Sequence, residues 1–489
     1  MAGTFASAFF LTMVLVAGAV VEFDLHRGIP GVRFGALPPI SRPLSRRATY
    51  TQQLANNITG GGYFCNVQVG NPGQPVTMVL DTGSSDAWVI KPTADLCVTP
   101  SLQQKYSDSC GNTYNYSESG SYKMVERGGF EIKYLDGSTA RGDYISDDFT
   151  IAGTTIKSLQ MGYVNQTVRG TGILGIGYST RVTADTPYPN IVDQFVDQGI
   201  IEVRAYSLYL NDRRSPTGSI LFGGIDTEKF IGPLSVLPIL RPAGQKEYTS
   251  FEITFTGLGV TYTDGSSVSL SASHFQSRIV PAVLDSGSTL SYLPDQLARA
   301  IYRELDATYD TEETGLAFID CAHLSDDPHM VITFTFDSVT ISVPVNEMVL
   351  DILGPFSHLL PANIPYKNTC LFGIQNTAGF GTIRQDETDF ALLGDTFLRS
   401  AYVVYDLEHH EIGIAQANRN STKSAIVELK AGESSLPSVT GVARPDSTTR
   451  DGVETVTVTA TNAAPTRLSS GGEALVAAGL TIFGVLAPL

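Results

Sequence analysis

Short apolar runs bounded by glycine, proline, asparagine and aspartate fill the chain from about residue 50 to residue 417. They include YFCNVQVG, FEIKYL, SLYL, SILFGG, VITFTF and AYVVYDL, and runs of this length and punctuation predict β-strands. Apolar residues at helical spacing occur in few places, of which residues 191–199 and 293–307 are the clearest. The pattern therefore predicts an all-β fold class, mainly β with small helices.

The start of the chain has the pattern of segments that are removed. The apolar run FASAFFLTMVLVAGAV predicts a signal peptide, residues 1–19, cleaved after Ala19. Residues 20–47 end in Arg46-Arg47, a dibasic pair that predicts a propeptide removed before Ala48; a basic loop is the alternative. We expect this partly basic segment to cover the acidic body of the protein by charge attraction until cleavage releases it.

Beyond residue 417 the composition changes. Residues 418–462 are rich in serine, threonine, alanine, glycine and proline, which is typical of a stalk. A small-residue triplet at 462–464, a polar spacer at 465–473 and an uncharged apolar segment at 474–489 follow, the order of a glycolipid-anchor signal. We predict a GPI anchor on Asn462, loss of residues 463–489, and attachment to the extracellular face of the plasma membrane or cell wall. Residues 469–471 are the alternative attachment site.

A transmembrane anchor fits the same segment less well. Its sixteen residues would span ~24 Å as a helix, against a hydrocarbon core of ~30 Å. No basic stop-transfer cluster follows the apolar residues.

Length and charge narrow the choice of architecture and partner. The chain has 489 residues, 42% of them hydrophobic, and a formal net charge of −17. The length exceeds one typical domain, so we expect two lobes or more. The acidity argues against nucleic acid as a partner, because phosphate binding needs a basic surface.

The cysteines indicate an oxidising, secretory environment. Cys97 with Cys110, and Cys321 with Cys370, lie in turn-rich sequence and are predicted to form one local disulfide in each half. Cys65 alternates with valines in a strand pattern, which predicts a buried free thiol. Four Asn-x-Ser/Thr sites are candidate glycosylation positions: Asn57, Asn115, Asn165 and Asn420.

One motif occurs twice. Val-Leu-Asp-Thr-Gly-Ser-Ser contains Asp81, and Val-Leu-Asp-Ser-Gly-Ser-Thr contains Asp285. One Asp-Thr/Ser-Gly tripeptide arises easily by chance, whereas two copies in the same apolar context indicate an internal duplication. We therefore expect two equivalent loops whose carboxylates meet.

The residue types in the motif suit a pair of acids. The glycines permit tight turns, so the two loops can abut; the first hydroxyl of each copy can link the loops, and the second can donate to the outer carboxylate oxygen. Two carboxylates a few ångströms apart share one proton, so one acts as base on a water while the other donates to the carbonyl under attack. The supporting residues are Thr82, Gly83, Ser84, Ser286, Gly287 and Ser288.

These loops resemble those of the pepsin-type aspartic endopeptidases, and the resemblance extends over residues 50–417. It implies a bilobal fold with an internal two-fold repeat and a long cleft, with Asp81 and Asp285 as the catalytic aspartates. The lobes expected from the resemblance are residues 48–235 and residues 236–417. TGILGIG and ALLGDTFL match the segments that pass behind each aspartate, and YVVYDLEHHEIGIA resembles the closing strands. The family also implies protein or peptide substrates, no cofactor, no metal and a monomer, since one chain closes the cleft.

A second group of residues matches the substrate-binding parts of the family. Trp88 matches the tryptophan after the first aspartate, and Tyr134 matches the flap tyrosine, followed by Gly137 and Ser138. Asp86-Ala87 and Leu135-Asp136 depart from the usual Asn-Leu and Gly-Thr, so we expect altered substrate preference. The second loop, the dibasic site, the stalk and the apolar tail are most similar to fungal, yapsin-like surface proteases.

Other readings of the sequence are weaker. GTGILG matches a dinucleotide fingerprint but lacks its strand, helix and acidic residue, and residues 408–411 (EHHE) are expected to form a solvated turn instead of a metal site. A glycosidase also uses two carboxylates, yet does not need them in duplicated loops. A non-catalytic cell-surface binding module on the same fold is the alternative, although both aspartates and both glycines are retained.

Overall fold

The computed structural model describes residues 21–27, 455–456 and 62–444, except 107, 216, 243, 271–279, 326–328, 355–359, 362 and 378–389. The predicted signal peptide, the Arg46-Arg47 site, Asn57 and Asn462 lie outside the described residues. No helix in the described part of the chain is long and apolar enough to cross a membrane.

Strands dominate the described residues, as the apolar pattern predicted. The strands of the first half are β1 (Val21–Arg27), β2 (Tyr63–Val69), β3 (Gln74–Asp81), β4 (Ala87–Ile90), β5 (Lys123–Lys133), β6 (Thr139–Ile151), β7 (Thr154–Thr167), β8 (Gly172–Gly175), β9 (Ala205–Tyr209), β10 (Thr217–Phe222), β11 (Gly224–Asp226) and β12 (Phe230–Pro238).

The second half repeats this strand-rich character. Its strands are β13 (Glu252–Phe255), β14 (Gly257–Tyr262), β15 (Ser267–Ser269), β16 (Val280–Leu284), β17 (Ser291–Leu293), β18 (Thr308–Tyr309), β19 (Ala317–Asp320), β20 (Met330–Phe336), β21 (Val339–Pro344), β22 (Val349–Leu350), β23 (Thr369–Phe372), β24 (Ile374–Asn376), β25 (Ala391–Leu393), β26 (Ala401–Asp406), β27 (Glu411–Ala417), β28 (Ile426–Glu428) and β29 (Thr455–Val456).

The helices are short. They are α1 (Asp95–Val98), α2 (Pro100–Tyr106), α3 (Ile191–Asp197), α4 (Asp295–Glu304) and α5 (Asp395–Leu398). The two predicted helices are confirmed as α3 and α4. Asn190 caps α3 through a reciprocal bond pattern with Asp193, and α4 buries Leu297 and Ile301 against the core.

A thirteen-stranded sheet joins the two halves. Its order is β12-β27-β26-β9-β10-β1-β2-β3-β8-β4-β7-β6-β5, so β26 and β27 of the second half lie in the sheet of the first. The predicted boundary between residues 235 and 236 falls inside β12, which pairs with β27 on both sides of that point. The halves therefore share a sheet there, because the apolar faces of these strands are buried together, and no linker separates them.

The second half contributes its own sheets. One has the order β13-β16-β25-β17-β24, another β21-β20-β14-β15-β29, and a four-stranded sheet has the order β18-β19-β23-β22. In both halves an aspartate strand has a parallel partner: β3 pairs with β8, and β16 with β25. The repeated motif thus occupies repeated structure.

Part of the expected propeptide belongs to the central sheet. β1 pairs antiparallel with β10 over six residue pairs and with β2 over two. The backbone hydrogen bonds of this segment are therefore made to the body of the protein, in addition to any attraction between charges.

The cysteine predictions are confirmed. Cys97 is bonded to Cys110 and Cys321 to Cys370, and we call these the first and second disulfides. Cys65 is a free, buried thiol whose Sγ donates to the Met78 carbonyl, and burial raises its pKa to about 12.

The described glycosylation candidates differ in exposure. Asn165 and Asn420 are exposed, whereas Asn115 is half-buried and its Nδ2 donates to Glu118 Oε1 at 2.7 Å. Attachment at Asn115 would have to break that bond.

The predicted stalk begins too early. β28 pairs with β11, Leu429 and Leu436 are 4% and 6% exposed, and residues 440 and 442 form bridges to the β12 region. The sequence did not predict this packing, because the apolar residues that are buried here are isolated and form no strand-like or helical pattern. The folded body therefore extends beyond residue 417 to about residue 442.

Candidate active site

Asp81 ends β3, at the point where the strand leaves its parallel partner β8. Its carboxylate is fully buried and accepts from Gly83 N–H at 2.8 Å and from the Ser84 hydroxyl. Ile176 N–H donates to the Asp81 carbonyl at 2.9 Å, so the segment behind the strand also holds the backbone. The GTGILG sequence is thus β8 and its approach, which is the structural role expected for it.

Asp285 occupies the equivalent position after β16. Its carboxylate is fully buried and accepts from Gly287 N–H at 2.8 Å, and its own N–H donates to the Leu393 carbonyl of β25 at 3.0 Å. Gly394 follows this segment, and a β-carbon there would lie 2.3 Å from two backbone oxygens. The glycine therefore lets β25 pass close behind the aspartate loop.

The two loops are bonded to each other by their hydroxyl residues. Thr82 Oγ1 donates to the Leu284 carbonyl at 2.9 Å and accepts from Ser286 N–H at 2.9 Å. In the reciprocal direction, Ser286 Oγ donates to the Leu80 carbonyl at 3.0 Å and accepts from Thr82 N–H at 3.2 Å. Four bonds thus link the halves directly beneath the carboxylates, as the motif predicted.

Gly83 brings the loops into contact. A β-carbon at this position would lie 2.6 Å from Asp285 Oδ1 and 2.7 Å from its Cγ. No side chain fits in that space, so the Asp285 carboxyl lies against the backbone of the Asp81 loop.

The surroundings that shift the pKa differ between the two acids. Burial raises the pKa of Asp81, while the bonds from Ser84 and Gly83 and the positive charge of Arg169 oppose that rise. Burial, and then the charge of Asp81, raises the pKa of Asp285 well above its ordinary value. Asp285 Oδ2 is buried and has no donor among the described residues. Burial thus raises the pKa of both acids, and Asp81 has two hydrogen-bond donors where Asp285 has one among the described residues.

The prediction for Ser288 is wrong. Its hydroxyl donates to the Leu290 carbonyl at 3.1 Å instead of to Asp285. The loop turns back after Asp285, which places that carbonyl within reach of the serine. The two copies of the motif are therefore unequal, because Asp81 has a hydroxyl donor and Asp285 has none among the described residues.

A hairpin of β5 and β6 carries Tyr134 towards the pair. Tyr134 is fully buried and its hydroxyl accepts from Trp88 Nε1 at 2.8 Å. Its turn is closed by Tyr134 N–H donating to the Ser138 carbonyl and by Gly137, which has φ +81°. The charge of Asp81 contributes to raising the pKa of Tyr134, after burial, which places the ring within electrostatic reach of the pair. We call residues 134–138 the flap turn.

The unusual residues of the flap turn make contacts that the sequence did not predict. Leu135 is 5% exposed and packs with Phe390 and Leu392 of the second half. Asp136 forms an ion pair with Arg169. Both positions depart from the residues usual in the family, and their partners are far away in the chain.

Asp86, which stands where the family usually has asparagine, is another buried acid near the site. It is fully buried, and it accepts from Tyr188 OH at 2.7 Å, Tyr144 OH at 3.1 Å and Thr183 N–H at 2.8 Å. Burial raises its pKa, and these bonds oppose the rise. The tyrosines pack in the same cluster as Trp88, so Asp86 organises the wall behind that residue.

The metal alternatives find no support in the described residues. The sequence EHHE forms the turn between β26 and β27, where His409 bonds to Asp406 and to the Glu433 carbonyl. In the part of the chain that the structure describes, the one compact group of potential ligands is Cys321, Asp351 and Cys370, and its two sulfurs form the second disulfide.

Comparison with known proteins agrees with this geometry. A family model described as eukaryotic aspartyl protease matches residues 62–417. The probable aspartic-type endopeptidase OPSB of Trichophyton verrucosum is 39% identical over 433 residues, which cover 87% of this chain and 81% of that protein. Candidapepsin-4 of Candida albicans is 32% identical over 78% of this chain and 82% of its own length. Barrierpepsin of Saccharomyces cerevisiae is 32% identical over 74% of this chain and 61% of its own length.

Proposed function

Because the chain belongs to the eukaryotic aspartyl protease family and is an aspartic endopeptidase, we propose that Asp81 and Asp285 together activate the water that attacks the peptide bond. The observation that carries this proposal is the unequal hydrogen bonding of two buried carboxyls on loops bonded to each other. Among the described residues, the Asp81 carboxylate has two hydrogen-bond donors and the Asp285 carboxyl has one. The second oxygen of Asp285, Oδ2, is buried without a donor and can carry a proton.

The proposed reaction follows from that arrangement. Ionised Asp81 takes a proton from a water molecule while the oxygen of that water bonds to the scissile carbonyl carbon. Protonated Asp285 donates its proton to the carbonyl oxygen. The resulting tetrahedral diol collapses when Asp81 returns its proton to the amide nitrogen, ionised Asp285 takes a proton from one diol hydroxyl, and the C–N bond breaks to give the carboxylic acid and the amine. The dyad ends with one proton, as it began, and no cofactor enters the reaction.

The flap turn supplies the substrate side of the proposal. Tyr134 is held by Trp88, and the backbone at Gly137 and Ser138 forms the tip of the hairpin. We assign these four residues to substrate binding: they position the peptide and exclude water, whereas the aspartates transfer protons.

Digestion of acid-denatured casein or haemoglobin, with and without pepstatin, tests the proposal. Asp81→Asn and Asp285→Asn should each remove hydrolysis while circular dichroism remains unchanged. Asp264→Asn is the matched control, because Asp264 is an exposed acid in the β14–β15 turn. Substantial turnover by either folded dyad variant would refute the mechanism. A folded wild-type protein that binds pepstatin-like peptides without cleaving substrate would instead support the non-catalytic binding module.

The cellular location is a second proposal. The two disulfides and the exposed Asn165 and Asn420 support passage through the secretory pathway, and the order of residues 462–489 supports a GPI anchor on Asn462. Phosphatidylinositol-specific phospholipase C, or mild cleavage of a cell-wall linkage, should release active enzyme that lacks residues 463–489. Recovery of peptides from residues 474–489 in the surface protein would contradict the anchor.

Propeptide removal is the third proposal. N-terminal sequencing of active secreted enzyme should begin at or near Ala48, after the Arg46-Arg47 pair. Fully active protein beginning at Val20 would show that removal is not required.

A further inference from the structure

Arg169 lies in the segment between β7 and β8, just ahead of the strand that runs behind Asp81. Its backbone is fixed locally: the Thr167 hydroxyl accepts from Arg169 N–H at 3.0 Å and donates to the Arg169 carbonyl at 3.1 Å. The next residue, Gly170, donates its N–H to Asp108 Oδ2 at 2.7 Å. The base of the arginine side chain therefore has a defined position and direction.

The guanidinium contacts three residues of the flap turn. It forms an ion pair with Asp136, its Nε donates to Ser138 Oγ at 3.1 Å, and its Cζ lies 5.8 Å from the ring centroid of Tyr134. These contacts join both limbs of the turn to the segment that supports Asp81. Only 11% of the Arg169 side chain is exposed, so water screens this ion pair less than a surface pair.

The opposite side of the flap turn is also held. Leu135 packs on Phe390 and Leu392, which precede the Gly394 segment behind Asp285. One contact is ionic and lies in the first half of the chain, and the other is apolar and lies in the second. The flap turn is thus attached on both sides of the dyad, and Arg169 makes the polar attachment.

The charge of Arg169 also acts on the dyad. Burial is the main cause that raises the pKa of Asp81, and Arg169 is a cation that opposes the rise. The other titratable groups that act on the Asp81 carboxyl, or are acted on by it, are Asp285, Tyr134 and Tyr206. The pKa values of both tyrosines are raised well above their ordinary value, so neither carries charge in acid.

We propose that Arg169 is a positioning residue for peptide hydrolysis: it holds the flap turn over the dyad through Tyr134, Asp136 and Ser138. The inference rests on the proposed two-aspartate mechanism. It assigns the placement of the flap turn to one side chain.

Three substitutions separate the effect of the charge of Arg169 from the effect of its bonds to the flap turn. Arg169→Gln removes the charge and the planar set of donors, Arg169→Lys keeps the charge but cannot bridge Asp136 and Ser138 in the same way, and Asp136→Asn removes the ion pair while leaving the arginine. Arg141→Gln is the control, because Arg141 pairs with Glu131 on the same hairpin but is 53% exposed.

Steady-state kinetics over a range of pH is the main measurement. All three test variants should raise KM about ten-fold with a smaller effect on kcat, because a loosened flap binds peptide less well. Only Arg169→Gln should also move the acid limb of kcat/KM to higher pH, because loss of the cation makes Asp81 harder to ionise. The control should match wild type in both respects.

Fluorescence gives a readout that does not depend on turnover. Trp88 is the only tryptophan and is bonded to Tyr134 of the flap turn. Acrylamide quenching of this fully buried ring should increase in the three test variants and stay unchanged in Arg141→Gln.

The outcomes distinguish this inference from the proposed function. Wild-type KM, an unmoved acid limb and unchanged quenching in Arg169→Gln would overturn the inference alone, as would a lowered melting temperature without any kinetic change. A wild-type protein without pepstatin-sensitive hydrolysis would overturn the proposed function and this inference with it.

Discussion

Replacement of Gly83 by alanine tests how closely the two aspartate loops must approach. The added β-carbon would lie 2.6 Å from Oδ1, 2.7 Å from Cγ and 3.0 Å from Oδ2 of Asp285. Carbon atoms in contact are separated by ~3.5–4.0 Å, so the carboxyl or the loop must move by roughly 1 Å. Both are buried and the loops are bonded to each other, so neither can move without loss of other contacts.

The expected cost appears in stability and in rate. Overpacking of a filled site costs about 1–3 kcal/mol of the free energy of unfolding. A displacement of ~1 Å at a catalytic group costs about 10²-fold in rate, which corresponds to ~2.7 kcal/mol in the activation barrier. Because the displaced group acts on the bond-forming step, the loss should be in kcat, with KM changed little.

The assay compares kcat, KM and melting temperature for wild type, Gly83→Ala and a matched control. Gly354→Ala is suitable, because a β-carbon at position 354 would meet nothing within 4 Å. We expect kcat to fall about 10²-fold in the first variant and to stay at the wild-type value in the second. A Gly83→Ala enzyme with kcat within about three-fold of wild type would refute the reasoning that this contact fixes the position of Asp285.

Three further predictions concern the same structure. The substitution Thr82→Val leaves the Leu284 carbonyl and the Ser286 N–H without the Thr82 hydroxyl, so it should lower the free energy of unfolding by ~2 kcal/mol or more. A double-mutant cycle with Ser286→Ala should be non-additive. Simple additivity in urea titrations would contradict the bonds between the loops. The Asp285→Asn variant should become more stable relative to wild type as pH rises above about 4. The raised pKa of Asp285 makes the wild-type fold lose stability with rising pH, by about 1.4 kcal/mol for each unit by which the folded-state pKa exceeds the unfolded-state pKa. Melting temperatures of the two proteins that run in parallel across pH would contradict this prediction. Alanine replacement of the second disulfide should cost about 1 kcal/mol more than replacement of the first, because it closes a loop of 49 residues instead of 13; equal losses would show that chain entropy does not dominate.

The parts of the fold that sequence could predict are those set by local pattern. Short apolar runs bounded by turn-forming residues predicted the strands, and apolar residues at helical spacing predicted α3 and α4. The dyad loops were predictable because the same seven-residue pattern occurs twice and glycine at a close approach has no substitute. Pairing of Cys97 with Cys110 followed from their short separation.

The parts that could not be predicted depend on contacts between distant residues. Ser288 has the same type and spacing as Ser84, yet a different backbone turn gives it a different acceptor. Arg169 is 33 residues from Asp136, and no periodicity links them. Burial of Leu429 depends on the pairing of β28 with β11 and on packing against Ile225, which is distant in the chain.

The pH dependence of kcat/KM, measured from about pH 2 to about pH 8, tests the shared-proton dyad most directly. Ionised Asp81 and protonated Asp285 predict a bell with two limbs, whose apparent pKa values belong to the pair, and pepstatin should abolish activity across the whole bell. Asp264→Asn should reproduce the bell. Activity that rises without an alkaline limb, or that pepstatin leaves unchanged, would contradict hydrolysis by these two aspartates.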